Sequence, residues 1–304
     1  MTNGPKPTDF IEAPKLSQKL GWSITFISEL RQYTHSFKFR AAWNLVQKVA
    51  ANHFIAASSG NFGQALAKAC QINGRKCTVI MPTSSSKVKI AAVQEYGAEV
   101  VFVNTAKQSR AMKVSEWSDR HPEAYIASAY DCQWVIEGNS SLGFEIAQSG
   151  LPFDAIIAPV GGGGLSAGLI QGLCHASSSI PVWGAEPLMA NDGVKSLRDG
   201  TLHRHASEPQ TLADGARTAS LGNLNFRILR NGVAGMIEVP EESIVWGLQS
   251  IANEGLRVEP TGALSVGALR HWHAPEGAHI GCVLSGGNVD KALYDKLLTL
   301  PVIE

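Results

Sequence analysis

Residues 158–173 read APVGGGGLSAGLIQGL. The apolar stretch DAIIAPV (154–160) runs directly into four consecutive glycines, Gly161, Gly162, Gly163 and Gly164, and a stretch of helical character follows. Near-continuous apolar runs of this kind are strands buried on both faces, as in a parallel sheet covered by helices. Glycine loses more backbone freedom on folding than any other residue, so four in a row need a use. At a strand-to-helix turn, that use is close approach of several backbone N–H groups to an anion such as a phosphate. A merely flexible loop fits poorly between two strongly structured flanks.

The same alternation extends in both directions. Strands are predicted at KCTVIMP (76–82), AEVVFVN (98–104), AYIAS (124–128), PVWGAE (181–186) and HIGCVLSGG (279–287). Helices are predicted at KVKIAAVQEYG (87–97) and AMKVSEWSDRH (111–121). The fold class is therefore α/β, with open parallel sheets covered by helices. Units over residues 53–130 point to one sheet and a second group after residue 150 to another. Segment 207–227, rich in Gly, Asn and Ser, reads as ordered loop.

The bulk composition narrows the partner class. The chain has 304 residues, 44% of them apolar, enough to bury a sizeable core. Lys plus Arg and Asp plus Glu both number 26, with no long block of like charge. No nucleic-acid surface or polybasic membrane anchor is expected, and a small molecule is the natural partner. No apolar run reaches membrane-spanning length. The start lacks the cationic head and apolar stretch of a secretory leader, and the five cysteines form no CxxC pair. Reduced thiols in a cytoplasmic protein are the expectation.

Two further turns resemble the first. In AASSGNFGQALAKAC (56–70), Ser58, Ser59 and Asn61 add side-chain donors and acceptors at the start of an Ala-rich helix. Helix capping alone is the competing reading, since Ser and Asn favour such positions. In VLSGGNVD (283–290), Ser285 stands at the carboxyl end of a strand, where open α/β sheets bind ligands. A rival reading of the four-glycine turn also exists. Gly162, Gly164 and Ala167 satisfy GxGxxA, with Glu186 about 20 residues on, as in a dinucleotide-dependent oxidoreductase. That reading leaves the lysine of SFKFR (36–40) without a role.

Taken in order, SFKFRAA (36–42), SSGNFGQ (58–64), PVGGGGLSAG (159–168) and LSGGNVD (284–290) resemble the motifs of the fold-type-II pyridoxal-phosphate enzymes. This tryptophan-synthase-β-like group includes serine and threonine dehydratases, serine racemase and the cysteine synthases. AEP (185–187), LADGARTASLG (212–222) and VEPTGALSVGAL (258–269) bring the sequence nearest the threonine dehydratase and threo-3-hydroxyaspartate ammonia-lyase branch. The resemblance runs from about residue 12 to residue 295.

The resemblance implies the following roles. Lys38 matches the lysine that bonds the cofactor aldehyde and moves the Cα proton; burial lowers a lysine's pKa and frees its amine for both tasks. Gly161–Gly164 would hold the phosphate of pyridoxal 5'-phosphate, Asn61 its ring hydroxyl, and Phe37 would pack beside the ring. Ser285 would face the pyridine nitrogen without enforcing its protonation, which favours β-elimination. Ser58, Gly60 and Asn61 would cradle the substrate carboxylate. Ser59 stands where racemase-like members carry a serine on the face opposite the lysine; a helix-cap donor is its other reading. Glu186, Ala190 and Asp192 match the spacing of a divalent-cation site, suited to Mg²⁺ or Ca²⁺.

The implied enzyme has two domains: a large cofactor-binding domain, residues 1–52 and 131–304, and a small mobile inserted domain, residues 53–130. The family is usually homodimeric, so a homodimer is expected. The favoured activity is ammonia release from a 3-hydroxy amino acid. Amino-acid racemization, β-replacement, oxidoreduction and non-catalytic amino-acid binding are the alternatives.

Several positions depart from the family pattern. His35 puts an imidazole near the cofactor or turns to solvent. Phe62 is expected to reshape the substrate pocket, and Asn139 and Ser140 replace a commoner Gln–Gly pair. Arg217 meets either a second substrate carboxylate or loop carbonyls. The pairs His203/His205 and His271/His273 read as surface residues without carboxylate companions.

Overall fold

The computed structural model describes residues 4–58, 60–85 and 87–301. In chain order the strands are β1 (Asp9–Glu12), β2 (Ser23–Ser28), β3 (His53–Ala57), β4 (Lys76–Pro82), β5 (Glu99–Val103), β6 (Tyr125–Ile126), β7 (Ala155–Pro159), β8 (Val182–Pro187), β9 (Val233–Val239) and β10 (His279–Leu284). They form two sheets. One has six strands in the order β1-β2-β10-β7-β8-β9, and the other has four in the order β5-β4-β3-β6. All neighbouring pairs are parallel except β1 with β2. The predicted α/β class and the two sheets are both present.

Burial explains which strands could be read from sequence. All five residues of β7 are buried, as are the last five of β10 and Cys77–Met81 of β4. The edges differ. In β5 only Val103 is buried and Phe102 is exposed, because an edge strand has no sheet neighbour on one side. Strands β1, β2 and β9 were not anticipated. Gly235 interrupts the apolar run of β9, and only Ile237 and Val239 in it are buried.

The segment expected to be loop over 207–227 needs correction at its end, where Asn223–Gly232 is a helix. Its start is capped from far away in sequence: the Asp131 carboxylate accepts from the amides of Asn223 and Leu224, both at 2.9 Å. A local reading cannot see a cap supplied from some 92 residues upstream.

The helix Lys38–Lys48 joins the two halves of the molecule. Phe39, Ala42, Leu45 and Val46 pack into one core with Phe54, Phe62, Leu66, Val79 and Met81 of the four-stranded sheet and its helices. Phe37 belongs to a different core, with Ile27, Ile156, Ala158 and Val283 of the six-stranded sheet. Each phenylalanine stabilises its own core by about 1.5–3 kcal/mol. Lys38, between them, is fixed at the seam.

Candidate active site

The turns after β3, β7 and β10 lead away from the carboxyl ends of parallel strands, where α/β sheets gather ligand-binding groups. The backbone amide of Phe37 donates to Ser285 O at 3.0 Å, and Ser36 bridges to Gly286. The lysine turn and the β10 turn are thereby stitched together. Gly287 N also donates to His35 O at 2.9 Å.

Lys38 Nζ donates to Ala129 O at 2.9 Å and lies 4.9 Å from the Phe37 ring centroid. Burial pushes its pKa down to about 8; the Glu259 carboxylate partly opposes the shift. An amine with that pKa is substantially neutral in mildly alkaline solution, whereas an exposed lysine is not.

The Ala129 segment leads to the glycine turn. A Cβ on Gly162 would stand 2.4 Å from the Tyr130 ring, and one on Gly164 would stand 2.9 Å from Tyr130 O. Only a residue without a side chain fits at either point. Gly163 adopts φ +86°, in the left-handed region. Two amides hold the turn from outside: Asn139 Nδ2 donates to Gly164 O at 2.9 Å, and Asn225 Nδ2 to Gly162 O at 2.6 Å. With the carbonyls so tied, the amides of Gly161–Gly164 have no partner among the described residues. The buried Ser166 hydroxyl, in the first turn of the helix that follows, has none either. Four unengaged amides and an orphan hydroxyl at a helix N-terminus fit a phosphate dianion.

Asn61 opens the helix Asn61–Ile72 and uses both ends of its amide. Its Nδ2 donates to Glu259 Oε1 at 2.7 Å, and its Oδ1 accepts from Asn288 Nδ2 at 2.8 Å. Asn288 also donates to Thr34 O at 2.8 Å. Glu259 is buried, and burial pushes its pKa up to about 8, helped by Asp214 and opposed by Asn61. Its amide donates to Gly286 O. Ser58 Oγ accepts from Gly63 N at 3.0 Å and Gly60 N at 3.4 Å, so its oxygen caps the helix, as the capping alternative held. Ser59 lies outside the described residues.

Glu259, Asn288, Tyr130 and Asn225 were assigned no role from sequence. Glu259 carried a usable signal: a lone acid in VEPTGALSVGAL, a stretch otherwise apolar or small. The other three gave none, since their partners lie far along the chain.

The expected cation residues come together around β8. Glu186, fully buried, accepts from Gly193 N at 2.9 Å and Val194 N at 2.8 Å. Burial and the nearby Asp192 hold its pKa well above the carboxylate range. Asp192 is buried too, and neither of its oxygens has a hydrogen-bond partner. Burial pushes its pKa up to about 6. Ala190 is buried at the end of the short turn Leu188–Ala190. The orphaned Asp192 oxygens fit a hard cation.

The histidine pairs and other departures resolve differently. His205 Nε2 lies 3.5 Å from Asp192 Oδ1 and His203 Nε2 2.8 Å from Asp199 Oδ2, so the first pair does have carboxylate companions, a correction. The helix Asp192–Asp199 supplies both acids, which lie outside the HRH stretch itself. His271 bonds Ser243 Oγ at 2.7 Å. Phe62 is buried in the core of the four-stranded sheet, not placed to shape a pocket. His35 is exposed, with φ +53° and its Nδ1 3.1 Å from Leu30 O. Arg217 takes the loop-carbonyl alternative and donates twice to Thr211 O, at 2.9 and 2.5 Å.

Comparison with known proteins agrees with this geometry. A family model described as "Pyridoxal-phosphate dependent enzyme" matches residues 1–286. The chain is 34% identical to an L-threo-3-hydroxyaspartate ammonia-lyase of Saccharomyces cerevisiae, over 96% of this chain and 91% of that protein. It is 32% identical to a serine racemase of Schizosaccharomyces pombe, over 96% of this chain and 92% of that one. Among solved structures, a bacterial-type comparison is given by the T.th. threonine deaminase, which superposes with a TM-score of 0.88 at 34% identity, covering 94% of each chain. With a buried lysine, a four-glycine anion cradle and these relatives, the chain belongs to the pyridoxal-phosphate-dependent enzymes.

Proposed function

We propose that this protein is an ammonia-lyase that converts a 3-hydroxy amino acid, such as L-threonine, L-serine or threo-3-hydroxyaspartate, to a 2-oxo acid and ammonia by β-elimination. The observation that carries this reading is the Lys38 amine, held at the seam of two cores beside the glycine cradle, with its pKa lowered to about 8. The relatives named for ammonia-lyase and deaminase activity support it.

Pyridoxal phosphate, when bound, supplies the aldehyde that captures an amino group and the conjugated ring that spreads negative charge from Cα. The chain's own groups do the rest. The amides of Gly161–Gly164 hold the phosphate at the helix N-terminus. Phe37 flanks the ring, and Ser285 offers a neutral hydroxyl to the ring nitrogen. Asn61, clamped by Glu259 and Asn288, faces the ring hydroxyl. Lys38, as neutral amine, accepts the Cα proton. The turn Ser58–Asn61 receives the substrate carboxylate: Ser58 Oγ accepts from the helix, so its own proton remains to donate. Glu186, Ala190 and Asp192 are read as a Mg²⁺ or Ca²⁺ site that ties β8 to the helix Asp192–Asp199.

A small unit of residues 53–130 is read as moving against the remainder, 1–52 and 131–304, to open and close the site. A homodimer in the cytoplasm completes the reading; all five cysteines are free thiols, which suits a reducing compartment. The second reading is amino-acid racemization, favoured by the serine at position 59 and the serine racemase relatives. Stereoisomers of serine, threonine and 3-hydroxyaspartate, each followed for 2-oxo acid and for chirality of recovered substrate, separate the two. Inversion without 2-oxo acid would overturn the lyase reading.

A further inference from the structure

At the amino-terminal edge of the four-stranded sheet, three donor atoms converge. His53 opens β3 and is buried; His121 ends the helix Arg110–Arg120, and Glu123 follows in the turn to β6. His53 Nδ1 lies 3.7 Å from Glu123 Oε1, and His121 Nδ1 lies 3.6 Å from the same oxygen. The three atoms all fall within 4.8 Å of one another. This edge faces away from the lysine site. Ser58 is five residues along β3 from His53, roughly 16 Å at strand spacing.

We propose that His53, His121 and Glu123 bind a divalent transition-metal ion of the zinc type. Two imidazole nitrogens and a carboxylate oxygen are a zinc donor set, with solvent in the fourth position. Tetrahedral zinc with bonds of roughly 2.0–2.1 Å sets its ligands about 3.3 Å apart. The distances to Glu123 exceed that by only a few tenths of an ångström. They are also too long for direct hydrogen bonds, so the groups converge without satisfying one another.

The surroundings orient the ligands. His53 Nε2 lies 2.9 Å from Thr78 Oγ1, and Thr78 Oγ1 donates to Glu99 Oε2 at 3.3 Å. With its own proton spent on Glu99, Thr78 accepts from Nε2–H. That tautomer leaves the Nδ1 lone pair facing His121 and Glu123. Burial lowers the His53 pKa, which keeps the ring neutral and able to ligate. The His121 ring stacks on Trp117, with centroids 5.2 Å apart, and meets His53 edge-on at 5.3 Å. An ion here would tie the start of β3 to the segment entering β6, so its effect falls on the stability of this sheet.

The test uses holoenzyme freed of metal by a chelator and re-equilibrated in excess Mg²⁺, which fills the Glu186–Asp192 position. Zinc chloride is the probe, read by equilibrium dialysis with metal analysis and by thermal unfolding. His121→Ala and Glu123→Gln change side chains that are at least partly exposed, and metal-free unfolding curves verify that both variants fold. The expected result is a zinc bound by the wild type that both variants bind at least tenfold more weakly. Zinc should also raise the unfolding temperature of the wild type and not that of the variants. Equal zinc uptake by all three proteins, or none by the wild type, would overturn the proposal.

Discussion

Lys38 and Glu259 are the two titrating groups at the centre of the site, and each makes a distinct prediction. Lys38→Ala should lower turnover by about 1,000-fold or more, since it removes the proton acceptor. Far-ultraviolet circular dichroism should remain unchanged; substantial lyase activity in that variant would remove Lys38 from the chemistry. In the apoenzyme, capture of added cofactor needs a neutral amine. Its rate, followed by absorbance, should rise with pH and level off near 8, where the buried ammonium titrates, instead of near the value of an exposed lysine. Glu259 has the opposite linkage. Its pKa is about 8 in the folded protein and 4.5 in the reference state, so the folded state holds the extra proton between those values. This group therefore contributes stability at low pH that is lost as pH rises toward 8. Glu259→Gln should flatten the fall in apoenzyme stability between pH 5 and 8 in urea titrations. An unchanged slope would mean that the carboxyl is not held neutral.

At the scale of elements, the helix Lys38–Lys48 is anchored by Arg40. Its guanidinium bonds Glu29 at 2.7 and 2.9 Å, Glu145 at 2.6 and 3.0 Å, and Thr8 at 2.7 Å, and both Arg40 and Glu29 are buried. Arg40→Ala strands the Glu29 charge and should destabilise the protein by about 3–5 kcal/mol in denaturant titration. A loss below about 1 kcal/mol, the scale of an exposed pair, would contradict the network. In the glycine turn, Gly162→Ala should weaken cofactor binding and destabilise the fold by about 1–3 kcal/mol, because the new Cβ meets the Tyr130 ring. These elements also mark what the sequence could and could not disclose. The strand–glycine–helix turns were readable because their signal is contiguous: buried runs, then residues chosen for backbone reach. The partners that finish the site were not, because Asn225 reaches Gly162 across 63 positions and Asn288 reaches Asn61 across 227. Phe62 shows the converse error, since apolar bulk beside a motif says nothing about which side of the helix it lies on.

At the scale of the molecule, two cores meet at one short segment, with Phe37 in the first and Phe39 in the second. Ion pairs cross from the four-stranded sheet's helices to the loop before Asn223: Lys89 with Asp214 at 2.6 Å and Arg110 with Glu208 at 3.0 Å. Arg110→Gln should change stability by less than about 1 kcal/mol, since the pair is exposed. The proposed homodimer has an equally direct test: sedimentation equilibrium should give twice the 32.4 kDa chain mass. All of the site chemistry depends on one covalent attachment at the seam. Reduction of the holoenzyme with borohydride, followed by peptide mass mapping, reports it directly. The expected result is a single pyridoxyl-modified peptide carrying the label on Lys38; a label on another lysine, or on none, would contradict it.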